Sequence, residues 1–459
     1  MFGFLRRIMG NAQDLPEPTS QRPSHPGPKD STPQPTVVVA PVQDFVRRQS
    51  LIDRQEHIAG YSFSLVSKLQ DRLSQRGATT RRAFDSALLT RLTLQGGAPL
   101  LGQRLAFVKL AADSLNNPLL AQLPATNTVL MLEAAHDTDW QQVASQAAGL
   151  QASGFLIGLH VHDASTLACP LLGTVDLVEV DFAGFDGLAL RELATGLRKP
   201  GSAAPARLRL VACNLQSHDE FLFSQKCGFD YFQGAFVGSQ PSTKPAASGG
   251  INRMVVLPIL NMVRSDADFA DIAAQLKNEP TLSYKLLRYL NSPAMGLQIK
   301  VESLTEALTL IGREKFYRWM SLLLFDFTNP SYQDRMLSER ALTRGRTLEL
   351  LAGQGRIPKT PEWLFLTGLF SLLDAALGLP MPELLGKAAL PEPVSNALLG
   401  QPGALADALH LVQLAEADTG PDGSQQAQAL LACGLDDACY SVAATQALVW
   451  AHAALGNAE

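Results

Sequence analysis

Short β-branched runs and longer amphipathic stretches alternate through the first half of the chain. VVVAP, HIAGYSFSLV, RLAFVKL, TVLMLEA, FLIGLHV, VDLVEVDF, RLRLVAC and FDYFQGAFV follow one another from Val37 to Val237, each with room for a helix behind it. Apolar runs this short read as strands, and the repeating strand–helix rhythm predicts a (β/α) barrel in preference to an open sheet. Within one interval, WQQVASQAAGLQASG sets Val143, Ala147 and Leu150 at three-to-four spacing, a helix that Gly154 should stop.

Past KPAASGG, Lys244 to Gly250, the period of two gives way to the helical period. Leu282, Leu286, Leu287 and Leu290 form one stripe; Ser303 and Glu306 make a capping box before Leu304, Ala307, Leu308 and Ile311, with Gly312 at the exit. Phe316, Trp319, Met320 and Leu323 share a helical spacing that marks core. The expected organisation is therefore α/β plus all-α: a barrel over residues 37–243, a linker over 244–250 and a helical domain over 251–459. Residues 1–36 are expected to be a disordered tail, because Asn11 to Thr36 is rich in Pro, Ser, Gln and Gly and has little to bury.

A chain of 459 residues, 46% hydrophobic and 18% charged, has enough apolar material for two cores. Its net charge of −5 gives no case for holding a polyphosphate backbone, so nucleic acid is not an expected partner. Five cysteines without a CxxC spacing read as reduced thiols. MFGFLRRIMG lacks the long apolar core of a secretory signal, and no apolar run reaches 18 residues; Phe2, Phe4, Leu5 and Ile8 read as part of the tail, not as a membrane contact. A cytoplasmic location without stable membrane insertion is expected.

One stretch carries candidate chemistry. GLHVHDAS, Gly158 to Ser165, puts two of the eight histidines two residues apart. On a strand His160 and His162 share a face, with Leu159 and Val161 on the other, and together they can ligate zinc or another borderline metal. That reading needs a third ligand from another strand, for which Glu133 is the candidate. The alternative is a polar barrel face holding a hydrogen-bonded histidine pair, and it is the reading expected here.

FVRRQSLIDRQEHIAGYSF, GFLIGLHVHD, DLVEVD and FDYFQGAFVGSQP resemble the EAL domain, a barrel that in active members cleaves cyclic di-GMP with two divalent metals. NEPTLSYKLLRYLNSPAMGLQIKVESLTEALTLIG, Asn278 to Gly312, and FLTGLFSLLDAALGLPMPELL resemble the HDOD domain. By that resemblance, Ser62 stands where the naming glutamate belongs, Lys109 on the metal-binding asparagine and Glu133 on the next glutamate. His160 and Val161 take the places of the aspartate pair, and Glu179 that of the lysine of Lys-x-Asp, whose aspartate remains as Asp181. The two late glutamates fall near Cys213 and Gln216, the late glutamine is Gln233, and Val66 replaces a phosphate-facing arginine.

Two-metal hydrolysis needs several carboxylates at the strand ends. Lys109 would place an ammonium where a dication should sit and Glu179 a carboxylate where the scissile phosphate needs positive charge, so the expectation is a vestigial pocket with no metal, no cofactor and no enzymatic activity. Lys109 and Glu133 are expected to form an internal ion pair, the alternative being a lysine that faces solvent. In the helical domain Ser371 and Leu372 stand where an HD-type hydrolase has its His-Asp pair, and His410 and His452 are too few to build such a site. Asn291, Ser292, Gly296 and Lys300 are either a structural corner or a docking surface, with capping the simpler account. The function expected is a non-catalytic signal-transduction protein whose HDOD domain contacts other signalling proteins. The alternatives are a cyclic di-GMP phosphodiesterase with substituted ligands such as His160, and a sensor that binds cyclic di-GMP without cleaving it.

Overall fold

The structure, a computed structural model, describes residues 45–66, 78–93, 104–134, 138–163, 169–199, 205, 207–237, 253–291, 301–327, 330–388, 390–416 and 424–455. The anticipated tail, the linker, the VVVAP run, Ser292, Gly296 and Lys300 lie outside these residues.

Eight strands close a barrel in chain order: β1 (Phe45–Asp53), β2 (Ile58–Val66), β3 (Leu105–Ala111), β4 (Thr128–Glu133), β5 (Leu156–Val161), β6 (Leu177–Asp181), β7 (Arg209–Leu215) and β8 (Tyr231–Gly234). β1 runs antiparallel to both β2 and β8, and the other neighbours are parallel. Helices Ala78–Thr93, Trp140–Ala152, Gly187–Arg198 and His218–Cys227 fill the crossovers. Gly154, in left-handed backbone (φ 99°), follows the second of them, where a C-terminal stop was expected. β1 was not among the expected strands; FVRRQSLID carries Arg47, Arg48 and Gln49 in mid-run, which hides its apolar period.

Alternation along each strand divides the barrel core in two. Leu51, Phe107, Val129, Met131, Leu177 and Val211 form one buried cluster, the barrel's inner plug. Their neighbours in sequence, such as Ile52, Val108, Leu130, Leu132, Val178 and Ala212, belong to a second cluster with Leu88, Val143, Ala147, Leu190 and Phe221 of the crossover helices. Gly158 lies on the inward face of β5: a Cβ there would come within 2.8 Å of the Met131 sulfur, so the glycine is what lets Met131 cross the barrel.

The remaining described helices pack around a separate core. Trp319 stacks between Phe316 and Tyr289, at centroid distances of 6.0 and 6.4 Å, and Met320 and Leu323 are buried beside them. Where the helices Tyr332–Leu350 and Pro361–Phe370 cross, Gly345 faces Gly368; a Cβ on Gly368 would sit 2.6 Å from the Gly345 Cα. The long helix Tyr332–Leu350 also meets the barrel. Its Met336, with Leu448 of the helix Asp437–Leu455, joins the barrel's outer cluster. Buried Glu339 takes a hydrogen bond from the Tyr61 hydroxyl on β2 and two from the Arg104 guanidinium, at 2.7 and 2.9 Å.

Candidate functional site

The inward positions that follow the apolar plug toward the C-terminal ends of the strands are polar. Lys109 on β3, His160 on β5, Glu179 on β6, Cys213 on β7 and Gln233 on β8 each lie on the inward alternation, next after Phe107, Gly158, Leu177, Val211 and Tyr231. The C-terminal face is where barrels of this kind present chemistry, because the plug leaves no space lower down. His162 and Asp181 follow one step further out, on the rim.

Glu179 is fully buried and is the centre of the inner layer. Its Oε2 lies 2.9 Å from the Lys109 ammonium and 2.6 Å from His160 Nδ1. Burial by itself disfavours both charges. The Lys109 charge, with the His160 hydrogen bond, brings the Glu179 carboxyl down to about 2, and the Glu179 charge holds the Lys109 ammonium above its ordinary pKa. Cys213 lies in the same layer; burial first, then the Glu179 charge, pushes its thiol well up, so it stays protonated.

The rim holds a second carboxylate–imidazole pair. His162 Nδ1 stands 3.5 Å from Asp181 Oδ2, and the Asp181 hydrogen bond raises the imidazole pKa against the effect of burial. Asp181 is itself fixed from two sides: Asn214 Nδ2 donates to Oδ2 at 2.9 Å and the Ala183 N–H donates to Oδ1 at 3.0 Å. Asn214 reaches it from left-handed backbone (φ 61°) at the irregularity in β7 between Ala212 and Leu215. The two imidazoles meet edge to face, with centroids 4.2 Å apart and planes at 82°.

Several expectations about these residues are corrected. Lys109 pairs with Glu179 and not with Glu133, because Lys109 points across the barrel while Glu133 ends β4 one layer higher, its Cα opposite Ala111. The histidines do not hydrogen-bond as a pair; each takes its own carboxylate and they share a ring contact. The third donor near them is Asp181 and not Glu133: His160, His162 and Asp181 bring donor atoms within 4.8 Å of one another, as do His160, Glu179 and Cys213. Ser62 and Gln233 gather round Gln49 of β1 instead: Ser62 is buried opposite Gln49 in the strand register, and the Gln233 amide donates to the Gln49 side chain at 2.7 Å.

Other residues had no signal in the sequence. Asn214 positions Asp181 only through an irregular backbone. Asp85, on the helix Ala78–Thr93, accepts a hydrogen bond at 3.0 Å from the Ala111 N–H where β3 ends; burial raises its carboxyl to about 7, with smaller contributions from Glu133 and Asp113. In the helical domain the sequence did single out Asn291 and Ser371: Asn291 clamps the backbone N–H and C=O of Val301, both at 2.8 Å, and Ser371 accepts a hydrogen bond from Arg344 at 2.6 Å.

Two hard cations, which the EAL resemblance implies, do not fit this mouth. The Lys109 ammonium is fixed in the inner layer, Ser62 supplies a neutral hydroxyl, and Glu179 already has its charge matched by Lys109.

The HDOD domain model matches residues 253–375. The chain is 25% identical over 374 residues to the cyclic di-GMP phosphodiesterase CdgJ of Vibrio cholerae, covering 81% of this chain and 84% of that one. It is 24% identical over 386 residues to the uncharacterized protein YuxH of Bacillus subtilis, with 82% and 91% covered. A crystal structure of an EAL domain protein from Listeria monocytogenes is 13% identical, with 42% of this chain and 87% of that one covered and a TM-score of 0.33.

The likeness to CdgJ overturns the expectation that this chain is not an enzyme. That expectation treated Lys109 and Glu179 as two separate reversed charges. In the fold they are one ion pair that neutralises itself, so the mouth is not left with an uncompensated wrong sign. Residues 253–375 are an HDOD domain, set behind an EAL-like eight-stranded barrel.

Proposed function

We propose that this chain acts in cyclic di-GMP signalling as a phosphodiesterase whose barrel mouth uses a substituted set of ligands. The observation that carries the reading is the inner layer itself: an ammonium and an imidazole converge on one buried carboxylate at the C-terminal face, and two further ligating groups, His162 and Asp181, stand above them. Glu179 fixes the Lys109 ammonium in place before substrate arrives, leaving its remaining N–H bonds as donors for a phosphodiester oxygen, and His162 supplies an imidazole at the rim. Similarity to a relative named as a phosphodiesterase over four-fifths of the chain supports the same substrate.

The domain division proposed is a barrel over 37–243, a linker over 244–250 and a helical domain over 251–459, the last serving as the output module that contacts other signalling proteins. Tyr284 and Leu310, large apolar side chains 61% and 52% exposed on its helices, support an outward-facing role.

The test is incubation of purified full-length protein with cyclic di-GMP and, separately, magnesium, manganese or zinc. Conversion to the linear dinucleotide is expected, and Lys109→Ala should lower turnover. No turnover with any of the three ions would overturn the reading. Equilibrium dialysis showing dinucleotide bound but uncleaved would put a sensor in its place.

A further inference from the structure

We propose that the barrel mouth binds one borderline transition-metal cation of the zinc class, on His160, His162 and Asp181, above the Lys109–Glu179 ion pair. The proposal deepens the functional reading above and rests on it only for the use to which the cation is put.

The donor set decides the class of ion. Two imidazoles and one carboxylate suit zinc, nickel or cobalt, whereas magnesium seeks six oxygens and would find few here. One donor atom from each of the three residues already lies within 4.8 Å of the others.

The surroundings are those of a supported ligand set. A metal-bound histidine usually donates its other ring N–H to a carboxylate, which fixes the tautomer and leaves the second nitrogen's lone pair for the metal. His160 has that arrangement: Nδ1 meets buried Glu179 at 2.6 Å, which leaves Nε2 for ligation. Glu179 is held in turn by the Lys109 ammonium at 2.9 Å, which fixes the carboxylate that orients the imidazole. Asp181 is held by Asn214 and by the Ala183 N–H, so the acceptor is aimed before any ion arrives. Glu179 Oε1 is also buried without a hydrogen-bond partner, in the layer beneath the three donors.

The other convergent group, His160, Glu179 and Cys213, is the weaker candidate. Its carboxylate is already committed to Lys109, and its thiol lies in surroundings that oppose the thiolate a metal requires. One ion on the rim, not a pair in the cavity, follows from the charge count: Lys109 occupies the inner layer, and a second dication beside it would meet an ammonium.

Zinc uptake by metal-free full-length protein, without dinucleotide, tests the proposal by titration calorimetry and by elemental analysis after desalting. One zinc per chain is expected, retained in millimolar magnesium. His162→Ala, an exposed position that should leave folding intact, is expected to weaken zinc at least about tenfold, and Asn214→Ala to weaken it less, through Asp181. Cys213→Ser is expected to leave it unchanged. No stoichiometric zinc, an unchanged affinity in His162→Ala, or loss of zinc in Cys213→Ser would each overturn the assignment. Zinc bound without cleavage sinks the phosphodiesterase reading alone; cleavage with magnesium and no zinc uptake sinks this one alone.

Discussion

The Lys109 ammonium and the Glu179 carboxylate meet at 2.9 Å across the barrel, from β3 and β6, two strands that are not neighbours in the sheet. Lys109 stands where the resemblance implies a neutral asparagine and Glu179 where it implies a lysine, so each change alone would leave a charge without its answer. A buried charge left alone is unstable, so the two substitutions make physical sense only as a pair.

Lys109→Met therefore leaves Glu179 buried with only His160 to answer it. The variant is expected to lose about 3–5 kcal/mol of stability, read from urea denaturation at pH 7. Lys109→Met combined with Glu179→Gln should recover much of that loss, because the stranded charge goes too. If the double variant were no more stable than the single, the pair would not be what holds the layer together.

The same pair sets an acid limit. Glu179 titrates at about 2 in the fold against 4.5 ordinarily, so the unfolded state binds its proton first as pH falls. Its contribution is complete above about pH 4.5 and lost progressively down to about pH 2. Glu179→Gln should flatten the stability curve in that window, measured by thermal melts from pH 5 to pH 2.5.

Asp85 has the opposite sign. Burial raises its carboxyl from 3.8 to about 7, so the folded state binds the proton more tightly than the unfolded chain does. Its contribution is complete below about pH 3.8 and is lost as pH rises to about 7. Asp85→Asn keeps an acceptor for the Ala111 N–H and removes the titration. The variant should be more stable than the parent at pH 8, and the gap should narrow at pH 5.5; a gap that does not change with pH would reject this account.

How much of this was legible depended on whether the partners lie close in sequence. Seven of the strands and the change to helices past residue 250 show in the hydrophobic period, because that period is a local property of the backbone. β1 escaped because Arg47, Arg48 and Gln49 interrupt its apolar run, although Leu51 and Ile52 are fully buried. The shared face of His160 and His162 follows from alternation along one strand. Their partners do not: Glu179 reaches His160 and Lys109, and Asp181 reaches His162, only through barrel closure and inter-strand register. Asn214 is further removed still, since a residue in left-handed backbone at a strand irregularity leaves no periodic trace.

Glu339 links the two halves of the chain and gives the last prediction. It lies on the helix Tyr332–Leu350, buried to 1% exposure, and answers both Tyr61 and Arg104 of the barrel wall. Tyr61 stands beside Ser62 on β2; one faces the helices and the other the barrel interior, so a shift of β2 moves both. Burial, then the Glu339 charge, raises the Tyr61 hydroxyl pKa, which keeps it a donor throughout the working range. Glu339→Ala strands the Arg104 guanidinium and the Tyr61 hydroxyl in the seam beside Met336, where Arg340 and Thr343 also line the cavity, a loss of about 3–5 kcal/mol if the seam stays closed. The seam can instead open and admit water, which costs less, and the two halves would then melt separately. The expected outcome is a single calorimetric transition in the parent and two in Glu339→Ala, with faster amide exchange in β2 and in the helix Tyr332–Leu350. Tyr61→Phe, which removes one hydroxyl and leaves the Arg104 fork in place, should keep the single transition. Two transitions already present in the parent would mean that the Glu339 contacts do not couple the barrel to the HDOD domain.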